Sequence, residues 1–428
     1  MHKKFYIENL GCAKNQVDAE VIANKLVKDG YVCINGTDEN VENADVIIVN
    51  TCAFIDSARK EAIDVFFDLN NRKKDGAKII ITGCLGERYR EELEKSLEEA
   101  DEIHGVPKIP STERGSVLFS PKGTAYLKIS EGCNHRCAFC AIPLIRGNLI
   151  SIDKKEIIKE AKRLIKSGVK EINLIGQDLA LYGFDKREDY KLVDLLKDLI
   201  KIEGNYRIRC LYIHPDFFPD ELLDVVKSSN GKIVPYFDIP IQHASNIILK
   251  NMGRVHDKNY YKEMIQKIRS CFEDSYIRTT FLIGFKGESK ETLEELKSFM
   301  EDVQFDAASF FEYSREEGTR GYKMMKQSEV NALKPLLKEY KPILEYLQDT
   351  ISSKRLERFV NQTLDVLVEE KVEESNLYFA HTAFQCPDVD GTVVLSNPDD
   401  EHNPLVVGKI YSAIITKVNN LDLEATIN

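Results

Sequence analysis

Glu131-Gly132-Cys133-Asn134-His135-Arg136-Cys137-Ala138-Phe139-Cys140 is the stretch on which the reading of this chain turns. Three cysteines fall within eight residues, spaced C-x3-C-x2-C. Thiolates that bind iron need short loops, so that several sulfurs can face one cluster. A four-iron cube takes four ligands and this run offers three, which leaves one iron open for a cysteine elsewhere or for a substrate. Buried structural thiols and a zinc knuckle are the alternatives. Zinc motifs usually pair two C-x2-C units, and the chain has no second unit.

The rest of the chain is of ordinary globular composition, with 43% hydrophobic and 30% charged residues over 428 positions. That length predicts about two to four domains. A net charge of −11 argues against a protein that coats nucleic acid by bulk electrostatics. Met1-His2-Lys3-Lys4-Phe5 carries no apolar leader, and no apolar run is long enough to cross a bilayer. A cytoplasmic location is the expectation, with thiols kept reduced. The ten cysteines then read as metal ligands plus a few packed thiols.

Upstream of the cysteine run, strand and helix signals alternate. Lys4–Leu10, Ala44–Asn50 and Lys78–Thr82 read as strands, and Val17–Lys28, Asp56–Asn70 and Glu87–Leu97 as helices. The continuous apolar runs Val46-Ile47-Ile48-Val49 and Ile79-Ile80-Ile81 suit strands buried on both faces. The alternation predicts a parallel sheet with right-handed crossovers. Cys12, Cys52 and Cys84 each lie just past the carboxyl end of one of these strands. That edge of an open α/β sheet is where ligands bind, so thiols roughly forty and thirty positions apart are expected to converge. This gives a second candidate cluster with an open position. Cys33, Cys210 and Cys271 read as packed thiols, and Cys386 as an incidental loop residue.

Val106–Gly123 has three prolines and little periodicity, and reads as a linker. Six further βα units follow, on strands Ala125–Ser130, Glu171–Ile175, Arg207–Ile213, Val234–Ile239, Ile277–Ile283 and Ala307–Phe311. That is two short of a complete barrel. The cysteine run lies after the first of them, at the face where barrels place active sites. Polar residues at the other strand ends are candidates on the same ground: Gln177 and Asp178, His214, Gln242 and His243, Gly284, and Arg254 shortly after. Gln177 and Gln242 suit hydrogen bonds to ribose or amino-acid groups, and Arg254 a carboxylate. A long helix, Ser328–Leu356, leads to short strands separated by turns such as Asp390-Gly391, which predict a small OB-like β-barrel. The expected fold is thus multidomain α/β. It comprises an open parallel α/β sheet over 1–115, a partial (βα)6 barrel over 124–356 and an all-β barrel over 357–428.

The cysteine run, with Phe139 just before its third cysteine, resembles the radical S-adenosylmethionine (radical SAM) signature. Gly11-Cys12-Ala13-Lys14-Asn15-Gln16-Val17-Asp18, Asn50-Thr51-Cys52 and Thr82-Gly83-Cys84 resemble the N-terminal domain of methylthiotransferases. So do Tyr126–Cys133, Arg278–Phe285 and Tyr313–Thr319, and the C-terminal strands resemble a TRAM domain. One departure is Lys286, where the family usually has proline. The resemblance implies two 4Fe–4S clusters: a SAM-binding one on Cys133, Cys137 and Cys140, and an auxiliary one on Cys12, Cys52 and Cys84. It implies SAM contacts for which Phe139, Gln177, Gln242 and Arg254 are the candidates. It also implies that a SAM-derived radical takes hydrogen from carbon, which then captures a methylated sulfur.

Two branches are possible, one modifying adenosine in tRNA and one an aspartate in a small-subunit ribosomal protein. Ala13-Lys14-Asn15-Gln16 and Ile142-Pro143-Leu144-Ile145-Arg146-Gly147 are similar to the second, the RimO group. From Phe359 to Asn428, twelve acids stand against three lysines, a balance of −9. Such a module repels RNA and attracts a basic protein. The expected substrate is therefore the ribosomal protein, held through the acidic TRAM domain, with a reductant such as flavodoxin or ferredoxin. The rivals are a tRNA methylthiotransferase and a non-catalytic iron–sulfur sensor or electron carrier.

Overall fold

A computed structural model describes residues 2–427 except positions 38, 39, 109 and 388. Its N-terminal part is a five-stranded parallel sheet of order β2-β1-β3-β4-β5. The strands are β1 (Lys4–Asn9), β2 (Val32–Cys33), β3 (Val46–Thr51), β4 (Lys78–Gly83) and β5 (Glu102–Ile103). Strands β1, β3 and β4 form its centre, and all six residues of β3 are buried, as a strand covered on both faces requires. Two-residue edge strands extend it on either side. The helices are α1 (Ala13–Lys28), α2 (Asp56–Arg72), α3 (Cys84–Arg88) and α4 (Arg90–Ser96). Helix α1 begins four residues earlier than its apolar spacing predicts, because Lys14 and Asn15 are buried at its start. The single helix expected over Glu87–Leu97 is two, broken at Tyr89.

The central part is a six-stranded parallel sheet of order β13-β12-β11-β10-β9-β6. Its strands are β6 (Thr124–Lys128), β9 (Glu171–Ile175), β10 (Arg207–Cys210), β11 (Ile233–Asp238), β12 (Tyr276–Ile283) and β13 (Ala307–Glu312). A small pair, β7 (Ser130–Glu131) and β8 (Ile150–Ser151), flanks the cysteine loop. The sheet does not close, as the count of units predicts. The helices of this part include α5 (Ile142–Ile145), α6 (Lys154–Lys166) and α7 (Leu192–Leu199). Further along come α8 (Glu221–Ser228), α9 (Asn246–Met252), α10 (Lys258–Cys271), α11 (Lys290–Val303) and α12 (Arg320–Met324). Helix α13 (Gln327–Leu356) is 30 residues long, tolerates Pro335 and Pro342, and buries Leu337, Tyr340, Leu344 and Ile351. Fully burying each of the leucine and isoleucine side chains contributes about 1.5–3 kcal/mol.

The C-terminal part is a closed barrel of order β14-β15-β16-β18-β17. Its strands are β14 (Thr363–Lys371), β15 (Leu377–Thr382), β16 (Val393–Ser396), β17 (Ile410–Asn419) and β18 (Asp422–Ile427). It is bonded into the open side of the central sheet. Glu171 is buried with the guanidinium of Arg207, Arg209 Nη2 at 3.1 Å and His381 Nε2 at 3.1 Å. Arg209 Nη1 donates to the Ala383 carbonyl at 2.9 Å, and Tyr236 Oη to Asp390 at 2.7 Å.

Three expectations need correction. The described residues of 106–123 are irregular, as the prolines predict, but the expected linker is packed into the fold. The Arg114 side chain is fully buried, bonded to Glu20 at 2.5 Å and Glu160 at 3.2 Å. Cys271 is exposed rather than packed, because α10 turns that face to solvent. Cys386 is 1% exposed, in the core shared by the two barrels, and is more than incidental.

Candidate active site

The N-terminal sheet sets the first group of thiols. Cys12 caps α1 just beyond β1, Cys52 directly follows β3, and Cys84 follows β4 as the first residue of α3. Strands β1, β3 and β4 are neighbours in parallel, so their carboxyl ends bring the three thiols together. Cys12 and Cys84 open helices, where the N-terminal dipole favours a thiolate. Gly83 has φ 93°, and a Cβ there would stand 2.6 Å from the Thr51 carbonyl. No other residue type fits that turn without displacing backbone. Asn15 lies among them, with Oδ1 3.4 Å from Cys12 Sγ and Nδ2 3.8 Å from Cys84 Sγ.

Burial pushes the Cys52 thiol up to about 11 and raises Cys84. At Cys12 the desolvation that raises the others is outweighed by the charges of Lys14 and Arg146, which bring it below the ordinary thiol value.

The second group sits on the loop after β6 and β7. Gly132, at φ 74°, lets that loop turn against the Asn148 carbonyl. Burial pushes Cys133 up to about 11 and Cys140 to about 12. Arg254 Nη1 lies 3.5 Å from Cys137 Sγ and also contacts His214 Nε2, while Nη2 donates to the Pro240 carbonyl at 2.7 Å. Burial and the Arg254 charge together hold His214 far below the usual histidine value, so it is neutral. His135 stacks on His214 with ring centroids 4.1 Å apart and bonds Asp178 Oδ2 at 2.5 Å.

The other expected site residues behave differently from one another. Gln177 donates to Glu131, and its Oε1 is buried with no partner. Gln242 takes φ 79° and acts through its backbone, accepting from Leu282 N at 2.7 Å. Phe139 packs edge-on against Phe285, with centroids 6.4 Å apart. Gly284 N donates to Glu288 at 2.7 Å. His243 is fully buried and accepts from Ser245 N at 2.9 Å, while its Nε2 stands 3.4 Å from Glu288 without a hydrogen bond among the described residues.

Arg146 joins the two groups, and sequence spacing gives no hint of it. Its Nη2 is 3.5 Å from Cys84 Sγ and 3.1 Å from Asn15 Oδ1. Its Nη1 bonds Asp18 at 2.8 Å and Glu131 at 2.9 Å. Lys128 contacts the same two carboxylates. Burial alone would raise Glu131, but the Lys128 and Arg146 charges outweigh it and bring it down to about 2. Farther out, Glu316 accepts from Arg59 at 2.6 Å and Arg88 at 2.7 Å. Cys84, the first residue of α3, and Glu131, two residues before Cys133, thus share one guanidinium.

The donor set suits iron–sulfur groups. Two sets of three thiols sit at strand ends, and the orphaned Gln177 Oε1 and Ser130 Oγ lie at the mouth of the central barrel. A four-iron cluster spreads its thiolates over separate irons.

An open parallel barrel with three thiols on its first loop defines a radical SAM enzyme, and the family models agree. Residues 127–300 match the Radical SAM superfamily, 4–105 the Uncharacterized protein family UPF0004, and 360–427 the TRAM domain. The ribosomal protein uS12 methylthiotransferase RimO of Aquifex aeolicus is 39% identical, covering 98% of this chain and 96% of that protein. Those of Clostridioides difficile (38%, 98% of each chain) and Thermotoga maritima (38%, 90% of this chain and 92% of that protein) are similar. The chain belongs to this RimO family of radical SAM methylthiotransferases. Among solved structures, the radical S-adenosylmethionine methyltransferase TsrM from Kitasatospora setae shares the fold, with a TM-score of 0.52 at 12% identity over 72% of each chain. No helix of the described residues is long and apolar enough to cross a membrane.

Proposed function

We propose that this protein adds a methylthio group to the β-carbon of an aspartate in ribosomal protein uS12. The observation that carries the reading is the single guanidinium of Arg146, which touches Cys84 of the N-terminal thiol group and bonds Glu131, two residues before Cys133, across one buried interface. Two reaction centres held against each other are what sulfur insertion needs and what a simple electron carrier does not.

Cys133, Cys137 and Cys140 would hold the SAM-binding 4Fe–4S cluster, and Cys12, Cys52 and Cys84 the auxiliary one. When bound, these groups supply the electron that cleaves SAM, a radical able to take an unactivated hydrogen, and the sulfur, chemistry that acid–base side chains cannot perform. The chain's own residues bind and orient. Arg254 places a positive charge at Cys137, and Gln177 Oε1 and Ser130 Oγ offer free acceptors to SAM. Phe139 forms an apolar wall against Phe285, and the Gln242 backbone closes the strand end.

The C-terminal barrel would dock the basic target. Several of its acids are spent internally: Asp390 on Arg278 at 3.2 Å, Glu369 on His381 at 2.8 Å and Asp400 on Lys371 at 2.7 Å. Asp365, Glu370, Glu373, Glu374 and Glu401 are exposed and free for such a partner. A flavodoxin or ferredoxin would deliver the electron.

Mass spectrometry of ribosomal proteins and of tRNA from cells lacking the gene tests the reading. The expected result is loss of the methylthio group from uS12 alone. Loss of methylthioadenosine with an intact modified aspartate would transfer the assignment to tRNA.

A further inference from the structure

Lys14 stands out among the cations between the N-terminal sheet and the central barrel. Arg59, Arg88, Lys128 and Arg146 all reach carboxylates. Lys14 is 9% exposed, and among the described residues it has no hydrogen bond or ion pair. Its Nζ lies 3.1 Å above the centroid of the Tyr212 ring. Tyr212, two residues past the end of β10, has φ 64°, a left-handed conformation that a bulky residue adopts only under constraint. Its backbone N–H donates to Asp238 Oδ2 at 3.1 Å, which holds the main chain at this turn.

Cys12 and Asp238 lie close enough to act on this ammonium electrostatically, but among the described residues no acceptor bonds its N–H donors, and a ring face compensates only part of the cost of taking it out of water. A buried cation left in this state is a binding group awaiting an anion. Its position says which anion. Lys14 follows Cys12 by two residues, on the first turn of α1, and reaches across to the carboxyl end of β10. It therefore lies where the two thiol groups face the barrel mouth.

We propose that Lys14 receives the side-chain carboxylate of the target residue, over the Tyr212 ring, and so selects aspartate against asparagine. The inference rests on the target being an aspartate. The β-carbon of aspartate is bonded directly to its side-chain carboxyl carbon. Anchoring that carboxylate two residues from Cys12 brings the carbon to be modified beside the N-terminal thiols. An asparagine amide offers the ammonium one neutral carbonyl in place of two anionic oxygens, and so leaves its charge uncompensated.

The reconstituted holoenzyme is assayed on a uS12 peptide and on the same peptide with asparagine at the target. The wild type is expected to favour aspartate by about a hundredfold or more in kcat/KM. Lys14→Met lowers that ratio at least tenfold, mainly through KM, and Lys14→Arg restores part of it. Iron content equal to wild type confirms that the variants are loaded. An unchanged ratio in a loaded Lys14→Met overturns the proposal.

Calorimetry with N-acetyl-aspartate amide, against the asparagine analogue, tests the carboxylate site without the ribosomal target. Binding of the aspartate probe to wild type and its loss in Lys14→Met, or in Lys14→Gln if the methionine variant loses iron, is expected. No binding to wild type overturns the site. Binding through Lys14 without methylthiolation of the peptide leaves the site standing and removes uS12 as the target.

Discussion

The two groups of thiols are assembled in opposite ways. Cys133, Cys137 and Cys140 are gathered by spacing, on one loop of eight residues. Cys12, Cys52 and Cys84 are gathered by topology, at the ends of three neighbouring parallel strands. Each group has one guanidinium 3.5 Å from one sulfur, Arg254 at Cys137 and Arg146 at Cys84. Their settings differ. Arg254 rests on carbonyls and a neutral histidine, whereas Arg146 neutralises two buried carboxylates. A local site survives distortion of the sheet around it, and a topological site depends on the whole sheet.

The sharpest way to break this division of labour is to remove one thiol from each group. Cys137→Ala is expected to abolish release of 5′-deoxyadenosine from SAM while the N-terminal iron stays. Cys84→Ala is expected to keep deoxyadenosine release and abolish methylthio transfer, with iron content about halved. Chromatographic assay of deoxyadenosine beside iron analysis decides it, and loss of both activities in Cys84→Ala would merge the two sites into one.

Unequal arginines come next. Arg146→Met leaves Asp18 and Glu131 buried with Lys128 alone, and is expected to lower unfolding free energy by about 3–5 kcal/mol. Arg254→Met removes no carboxylate partner, so its cost is expected nearer 1–2 kcal/mol. Denaturant melts of the two variants measure the gap, and equal losses would contradict the difference in setting.

The joint between the groups also carries a pH signature. Glu131 is depressed to about 2 in the fold, against an ordinary value of about 4.3. Its contribution is complete above the ordinary value and is lost as pH falls through about 2. Glu131→Gln is therefore expected to flatten the stability curve between about pH 4 and 2. Acid-side melts of both proteins test this.

The smallest effect is chemical. In the reduced metal-free protein, Cys12 is exposed and held below the ordinary thiol value, whereas Cys140 is pushed up to about 12. Iodoacetamide is expected to label Cys12 at least about tenfold faster than Cys133 or Cys140, since the thiolate is the nucleophile. Peptide mapping over time reads the order.

The strand ends that carry Cys12, Cys52 and Cys84 are legible because the apolar runs before them are unbroken and end at polar residues. The six central strands are legible from the alternation of strand and helix signals, although β9, β10 and β12 carry polar residues within them. Strands Val32–Cys33 and Glu102–Ile103 are two residues long, too short to show a period. Arg146 and Lys14 could not be read as site residues, because their partners lie far away in sequence, as with Arg146 and Asp18, 128 positions apart. Arg114 hides in a proline-rich stretch for the same reason, since its partners Glu20 and Glu160 belong to other elements. The acidity of the C-terminal barrel is legible as a sum, but pairing decides which of its charges face solvent.

The contact between the two barrels has an engineering consequence. Arg209, Tyr236 and Arg278 line the central sheet, and the C-terminal barrel completes their bonding through the Ala383 carbonyl and Asp390. That barrel is no cassette to be cut off or exchanged. A chain ending at residue 356 would strip the floor from the catalytic barrel, and a swapped barrel works only if it brings the same acceptor and carbonyl with it. Whatever the C-terminal barrel grips is therefore presented at a fixed angle and never swung in on a tether.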